Sequence, residues 1–259
     1  MFKTLIETFS CLKQNNFLSK YEDILYLINK GDKTVNKFIH VVSINPEIIV
    51  LSVFNPEFRK VILKADFLIA DGVGAVIAAR ILYGVRLKRI TGSDLLKKTL
   101  SFANFGSFRV LLIGGRPNLA DKISNCYNKK FKKHFCFGIE GIKDIKNIKK
   151  EEINNIKAIV ADFKPHIVFL AFGSPNQELF AFKYQDLFNS CVVVGVGGGF
   201  DYIGKVVPRA PRFMRRYGLE WFFRLIIQPK RFFRQMRIVL FLFFVFILFL
   251  YGFYKRVFN

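Results

Sequence analysis

The sequence predicts an α/β fold: a Rossmann-like parallel sheet flanked by helices, followed by a basic helical C-terminal arm and an apolar tail. Three observations predict it. Short apolar runs at Phe38–Val42, Phe67–Ala70, Val110–Ile113, His166–Ala171 and Val192–Val194 alternate with helical patterns. Strands that alternate with helices become parallel strands joined by right-handed crossovers. Each run ends in a polar or glycine-rich turn, and the last passes through Gly197–Gly199 into an arginine-rich stretch.

The elements follow in order. Residues 1–18 are weakly patterned. Ser19-x-x-Glu22 has the form of a capping box and opens a helix to about Asn29, which Gly31 and Asp32 break. After the first strand, Ser43-Ile-Asn45-Pro46 is a turn. Pro46 suits a first helical turn, and the helix is expected to reach about Lys64. The second strand ends at Asp71-Gly72-Val73-Gly74, which starts a helix through Ala79, and Thr91-Gly92-Ser93-Asp94 precedes another. Gly114-Gly115 is a turn before a helix over Pro117–Tyr127. Residues 133–139 form a strand, 140–150 a lysine-rich loop and Glu151–Phe163 a helix. Gly173-Ser-Pro-Asn-Gln177-Glu178 opens the helix after the His166–Ala171 strand. Four segments result: a helical segment over 1–34, an α/β core over 35–204, a basic arm over 205–237 and an apolar tail over 238–259. No internal repeat is visible.

The 259 residues carry 41 Lys and Arg against 19 Asp and Glu, a net charge of +22. An anionic partner follows: nucleic acid, an anionic membrane or a phosphorylated substrate. Part of the charge reflects a general richness in Lys, Asn, Ile and Phe. The 52% hydrophobic content excludes a mainly disordered chain. Cys11, Cys126, Cys136 and Cys191 show no C-x-x-C spacing, which argues against a zinc site and a disulfide framework. His40, His134 and His166 lack metal-ligand spacing. No signal peptide is visible, because no small-residue cleavage site follows an apolar run at the N-terminus.

Sheets of this kind bind ligands beyond the carboxyl ends of their strands. Asn45, Asp71, Gly114, Gly173, Gln177, Gly197 and Asp201 all fall there. A carboxylate at Asp71 could act as a general base toward a hydroxyl, or simply cap the next helix. Gln177 could bond a sugar or a base, or cap its helix with Glu178. Asp201 could accept from a ribose or a uracil N–H, or be a turn residue. Arg209, Arg212, Arg215, Arg216, Arg224, Arg231, Arg234 and Arg237 suit phosphate oxygens. The alternative is a solvated helix in which Glu220 pairs Arg216 and Arg224. Neither G-x-G-x-x-G nor G-x-x-x-x-G-K-[ST] is complete, and no D-x-D or G-x-S-x-G occurs. A dinucleotide enzyme, a P-loop enzyme and a serine hydrolase all lose weight. If phosphates bind, arginines and helix N-termini replace a metal.

Ile238–Tyr254 is apolar without period. Its roughly 17 residues span about 25 Å as a helix, a little short of a hydrocarbon core. Basic residues flank it on both sides. The expectation is a membrane anchor, single-span or shallow, with the rest of the chain on the cytoplasmic face of the cell membrane.

Seven pieces carry a resemblance: Ser43-Ile-Asn45-Pro46-Glu47; Ala65-Asp66-Phe67 with Asp71-Gly72-Val-Gly74; Thr91-Gly92-Ser93-Asp94; Leu112-Ile113-Gly114-Gly115; Gly173-Ser-Pro-Asn-Gln177-Glu178; Gly195-Val-Gly197 with Phe200-Asp201; and Arg209-Ala-Pro211 with Gly218-Leu-Glu220-Trp221 and Arg224. In this order, over about residues 35–235, the chain resembles the WecG/TagA/CpsF glycosyltransferases of bacterial cell-wall and surface-polymer synthesis, such as that of teichoic acid. The resemblance implies a metal-independent, inverting transfer with no cofactor. An N-acetylmannosamine-type sugar would pass from a UDP donor to a polyprenyl-diphosphate-linked GlcNAc. It implies Asp71 as the base, with Ser43 and Asn45 beside the reaction centre. Gln177 and Asp201 would line the donor pocket, and Gly114, Gly173 and Gly197 at the strand ends are counted with them as substrate-binding. Arg209, Arg215, Arg216, Arg224 and Arg231 would close over the site and hold diphosphate at the membrane. It departs from the family in three places. Ser43 stands where Thr is usual, Gly204 falls one place early, and segment 238–254 lies outside the usual pattern. The partners are then a UDP-sugar, a lipid-linked acceptor and a membrane, with no nucleic acid; a homo-oligomer is compatible. A nucleic-acid-binding module and a non-catalytic scaffold are the rival readings.

Overall fold

The computed structural model describes residues 1–34, 37–103, 108–145 and 147–258. Among them are six strands: β1 (Ile39–Ile44), β2 (Phe67–Ala70), β3 (Val110–Gly114), β4 (Cys136–Ile139), β5 (Ile167–Ala171) and β6 (Val192–Gly195). They form one sheet in the order β2-β1-β6-β5-β3-β4, and every pairing is parallel. This is the expected α/β class.

The strands are apolar on both faces because helices cover both. Val41, Ile69, Val110, Leu112, Ile167, Phe169, Val192 and Val194 point into one layer with helices Glu22–Thr34, Gly92–Phe102 and Leu119–Phe131. Their neighbours point the other way, as a period of two requires. Val42, Ile44 and Leu68 meet helices Phe2–Phe9, Pro46–Phe54, Pro56–Leu63 and Val73–Tyr83. Leu111, Ile113, Val168, Leu170 and Val193 meet helices Lys150–Phe163 and Asn176–Lys183. All six carboxyl ends therefore lie along one edge of the sheet.

Several local expectations are corrected. The weakly patterned N-terminus forms helix Phe2–Phe9 and a 3₁₀ turn over Ser10–Lys13, and Phe17 bridges Leu68 on the outer edge of β2. The next helix starts at Glu22, but Asp23 supplies the cap: its carboxylate accepts from the N–H groups of Ser19 and Lys20 at 2.8 Å each. That helix continues through Gly31 and Asp32 to Thr34, because an interior glycine costs a helix only about 1 kcal/mol. The boundary drawn at residue 35 lies outside the described residues. The single helix expected from Pro46 to Lys64 is two helices. Asn55-Pro56 divides them, since a residue before proline avoids the α region. Asn55 then repeats the role of Asn45, its Oδ1 accepting from Phe58 N–H at 3.0 Å. At the other end, arm and tail share one continuous helix, Phe232–Phe258.

Candidate functional site

A cleft of about 650 Å³ opens over the carboxyl ends of the strands. Its floor includes Ser43, Asn45, Asp71, Gly173, Gln177, Gly197 and Asp201, and its wall includes Arg224, Arg231 and Arg234 of the arm. The cleft thus brings the strand-end residues and part of the arm together.

Asp71 follows β2 directly. Its N–H donates to Ile44 O at 3.0 Å, which ties it to the end of β1, and its carbonyl accepts from Arg89 Nε at 3.0 Å. The loop beyond it must be slim. A Cβ at Gly72 would stand 2.7 Å from the Pro46 ring. Burial raises the Asp71 carboxyl to about 6, and the neighbouring Glu220 adds to the rise. Arg89, Arg224 and the Gly92 N–H restrain it. Such a group is largely ionised at neutral pH yet more basic than an ordinary carboxylate, which suits proton abstraction from a hydroxyl.

The rest of the floor is held by backbone bonds. Ser43 Oγ donates to Gly195 O at 3.4 Å across β1 and β6. Asn45 Oδ1 accepts from Ile48 N–H at 3.0 Å and caps helix Pro46–Phe54. Gln177 is a clamp. Its Oε1 accepts from the N–H of Gly173 at 3.2 Å and of Gly197 at 3.0 Å, so one amide joins the loops after β5 and β6. Its Nε2 donates to the buried Glu178 at 2.8 Å. A Cβ on Gly195 would lie 2.5 Å from that Nε2, so only glycine fits there. Asp201 accepts from Arg116 Nε at 3.0 Å at the rim. Gly114 ends β3, but its neighbour Gly115 is the one that meets the cleft.

The arginines divide into two sets. Arg209 does not itself line the cleft; it donates to Asp94 Oδ1 at 2.7 Å and to Ser93 Oγ of the lining at 3.2 Å. The Arg215 carbonyl accepts from Arg89 Nη1 at 2.7 Å, and Arg216 is exposed; neither lines the cleft. Arg224, Arg231 and Arg234 do line it. Arg224 donates to Gly198 O at 3.4 Å and lies over the Tyr202 ring at 4.5 Å. Arg231 donates to Gln228 Oε1. Burial, then the nearby charges of Arg224 and Arg234, hold Arg231 below the usual arginine range. Arg234 and Arg237 both donate to Glu47 Oε1 at 2.8 Å. Crowded guanidiniums with so little acid among them are suited to an anion of more than one charge.

Glu220 pairs with Arg89 at 3.1 Å and Arg209 at 3.8 Å, not with Arg216 or Arg224. Its helix begins at Glu220 itself, so Arg216 is not on the same helix. Sequence reasoning also missed Arg89, which joins Asp71, Arg215 and Glu220, and gave no separate role to Glu47 or Arg234. Their partners are distant in the chain, and no local pattern marks them. Among the described residues, no three His, Cys, Asp or Glu side chains gather as a metal would require.

The glycosyl transferase WecG/TagA/CpsF family model matches residues 9–256. The match therefore takes in the apolar tail, which the sequence reading placed outside the family's pattern. A Bacillus spizizenii W23 protein named N-acetylglucosaminyldiphosphoundecaprenol N-acetyl-beta-D-mannosaminyltransferase is 35% identical over 203 residues, 78% of this chain and 77% of its own. The Bacillus subtilis 168 protein of the same name is 33% identical over 196 residues, 76% and 74% of the two chains. With a parallel sheet, a strand-end cleft and a match along nearly its whole length, this chain belongs to the WecG/TagA/CpsF family of glycosyltransferases.

Proposed function

We propose that this enzyme moves an N-acetylmannosamine-type sugar from a UDP donor to a polyprenyl-diphosphate-linked GlcNAc, with inversion, at the cytoplasmic face of the cell membrane. The relatives' names supply the sugar and the acceptor. One observation carries the chemistry: the raised carboxyl of Asp71 and the guanidiniums of Arg224, Arg231 and Arg234 line a single cleft.

Asp71 takes the proton from the acceptor hydroxyl as that oxygen bonds to the anomeric carbon. The bond from the anomeric carbon to the UDP oxygen breaks on the opposite side, and UDP leaves with the electron pair. Arg224 and Arg231 stabilise the charge that develops on its diphosphate. Gln177 shapes the donor loops, Asn45 and Ser43 set the floor beside Asp71, and Asp201 with Arg116 borders the donor end. Gly173 and Gly197, with Gly115 in the place expected of Gly114, let the donor approach the backbone closely. Arg209 and Arg215 hold the arm in place, and Arg216 faces the anionic membrane surface. No metal is needed, since the arginines neutralise the diphosphate.

The tail is the anchor. Among the described residues, Phe232–Arg256 is the one helix long and apolar enough to cross a bilayer. One stripe of it, Phe241, Phe244 and Leu248, is buried on the domain. Phe241 stacks on Phe9 at 5.6 Å, and Phe244 meets Phe54 at 6.3 Å. The outer face exposes Leu240, Phe243, Phe246, Leu250 and Phe253. A helix docked in this way lies along the domain, with its outer face in lipid.

The test is to incubate the purified full-length chain with lipid-diphosphate-GlcNAc and a panel of UDP-sugars, with and without EDTA. UDP release with UDP-N-acetylmannosamine, unchanged by EDTA, is expected. Release that needs a divalent ion, or none with any UDP-sugar, refutes the reading.

A further inference from the structure

The cleft has a second, apolar end that the sugar and diphosphate chemistry does not use. Past Arg234 on the tail helix it is lined by Ile238, Phe241 and Leu242, and across from these by Val73 and Ile77 of helix Val73–Tyr83. These two helices touch directly. The tail also reaches close to the base: the Phe241 ring lies 3.5 Å from where a Cβ on Gly74 would stand, three residues after Asp71. Ile77 is 51% exposed and Leu242 is 60% exposed, an unusual amount of apolar side chain to leave open in a cleft whose other end is cationic.

We infer that the groove between Val73–Tyr83 and the tail helix seats the first isoprene units of the acceptor's lipid, guiding the chain from the active site into the bilayer. This rests on the acceptor assigned above. A site with guanidiniums at one end and aliphatic walls at the other matches a ligand of the same polarity pattern: a diphosphate joined to hydrocarbon. The groove also has an exit. Ile238, Leu242, Val245 and Phe249 recur at i, i+4, i+7 and i+11, so they form one face of the helix. They extend about 16 Å along it, the length of roughly three extended isoprene units. That face begins beside the cleft and ends among the exposed phenylalanines of the tail. Arg234 and Arg237, fixed to Glu47, stand one turn and one residue before it, so the polar and apolar parts of the ligand would change over where the helix does.

The experiment compares GlcNAc-diphosphate acceptors carrying one or three isoprene units, with the full-length enzyme and saturating UDP-sugar. In the unmodified enzyme the acceptor KM is expected to fall about tenfold or more from one unit to three, as buried hydrocarbon accumulates. In the double variant Ile77→Asn, Leu242→Asn that ratio should shrink to within about twofold, since polar side chains no longer favour the chain. An unmodified enzyme whose KM ignores the chain overturns the inference without reference to any variant. So does a variant that keeps the full ratio. If the unmodified enzyme transfers to neither acceptor, the acceptor assignment itself fails and the groove inference falls with it, a result distinct from transfer that ignores chain length.

Discussion

The floor and the arm of the cleft are built in opposite ways. Floor side chains are tied to the backbone of the sheet's own loops: Gln177 to Gly173 and Gly197, Asn45 to Ile48, Ser43 to Gly195. Arm helices Arg212–Arg216 and Glu220–Ile227 bury no residue fully and are held by ion pairs such as Arg89–Glu220 and Arg209–Asp94. Backbone bonds at strand ends open only when the sheet does. Ion pairs that are partly solvated open at small cost. The floor is therefore the more rigid half and the arm the half that opens at lower cost; in the proposed reaction the first positions the sugar and the base, and the second parts to admit two substrates. The sharpest tests treat the halves separately.

The largest effect belongs to the floor. Asp71→Asn should lower kcat by about 10²–10⁴-fold, the usual worth of a positioned base, while UDP binding measured by calorimetry stays close to normal. The same change should stabilise the protein. Folding raises this carboxyl from 3.8 to about 6, chiefly by burial. Its contribution to stability is therefore best at acid pH and is lost as pH rises through that window. Above pH 6 the charged form opposes folding by at most about 3 kcal/mol. The urea midpoint at pH 7 should rise in the variant, and kcat/KM of the unmodified enzyme should fall tenfold per unit below about pH 6. A variant that loses stability along with activity would place Asp71 among structural residues.

The arm should lose activity with no change in stability. Arg224→Ala or Arg231→Ala should lower kcat/KM by about 10²-fold, as losing one donor to a developing oxyanion does. The unfolding midpoint should hardly move, because these helices contribute little buried surface. A large drop in stability would mean that the arm is part of the rigid half, and the contrast would disappear.

Gln177→Ala tests the floor's rigidity itself. It leaves two loop N–H groups without their acceptor and a gap beside Gly195, and should cost about 2–4 kcal/mol in urea unfolding. Activity should fall as a consequence of loop disorder, with donor KM rising before kcat falls.

How much of this was legible in the sequence follows the same division. The sheet could be read because strands buried on both faces leave continuous runs such as Val110–Ile113, and the turns after them show their glycines and acids in the clear. Asp71, Asn45 and Gln177 could be placed in the cleft for that reason. Gln177's bonds could not be read, since both acceptor contacts depend on where two separate loops meet. The arm was legible as charge but not as geometry. Arg209, Arg224 and Arg231 look alike in sequence, yet the first turns to Asp94 and the other two to the cleft. Arg209 is drawn by Asp94 and Glu220, while Arg224 meets Gly198 and Arg231 meets Gln228, contacts that mostly join distant parts of the chain. Asn55-Pro56 was legible and overlooked: it repeats Asn45-Pro46, and the repeat marks a second helix start.

The smallest effect probes the joint between the halves. Glu47 sits in the first turn of helix Pro46–Phe54, two residues after the Asn45 cap, and one of its oxygens receives both Arg234 and Arg237. Two outcomes compete when it becomes Gln. Removing the charge frees Arg234 for diphosphate, which would tighten binding. It also releases the start of the tail helix from the floor, which would loosen the wall. The pair is partly solvated, so its direct worth is about 0.5–1 kcal/mol. Arg224 and Arg231 already supply positive charge, so a third free guanidinium adds little, whereas the position of the helix start sets where Arg234 and the Arg231 turn just before it stand. Glu47→Gln should therefore raise the donor KM about threefold, lower the unfolding midpoint only slightly, and weaken the dependence of KM on salt. A lower KM would mean that Glu47 competes with the substrate for Arg234, and the joint would then be a gate that the diphosphate itself opens.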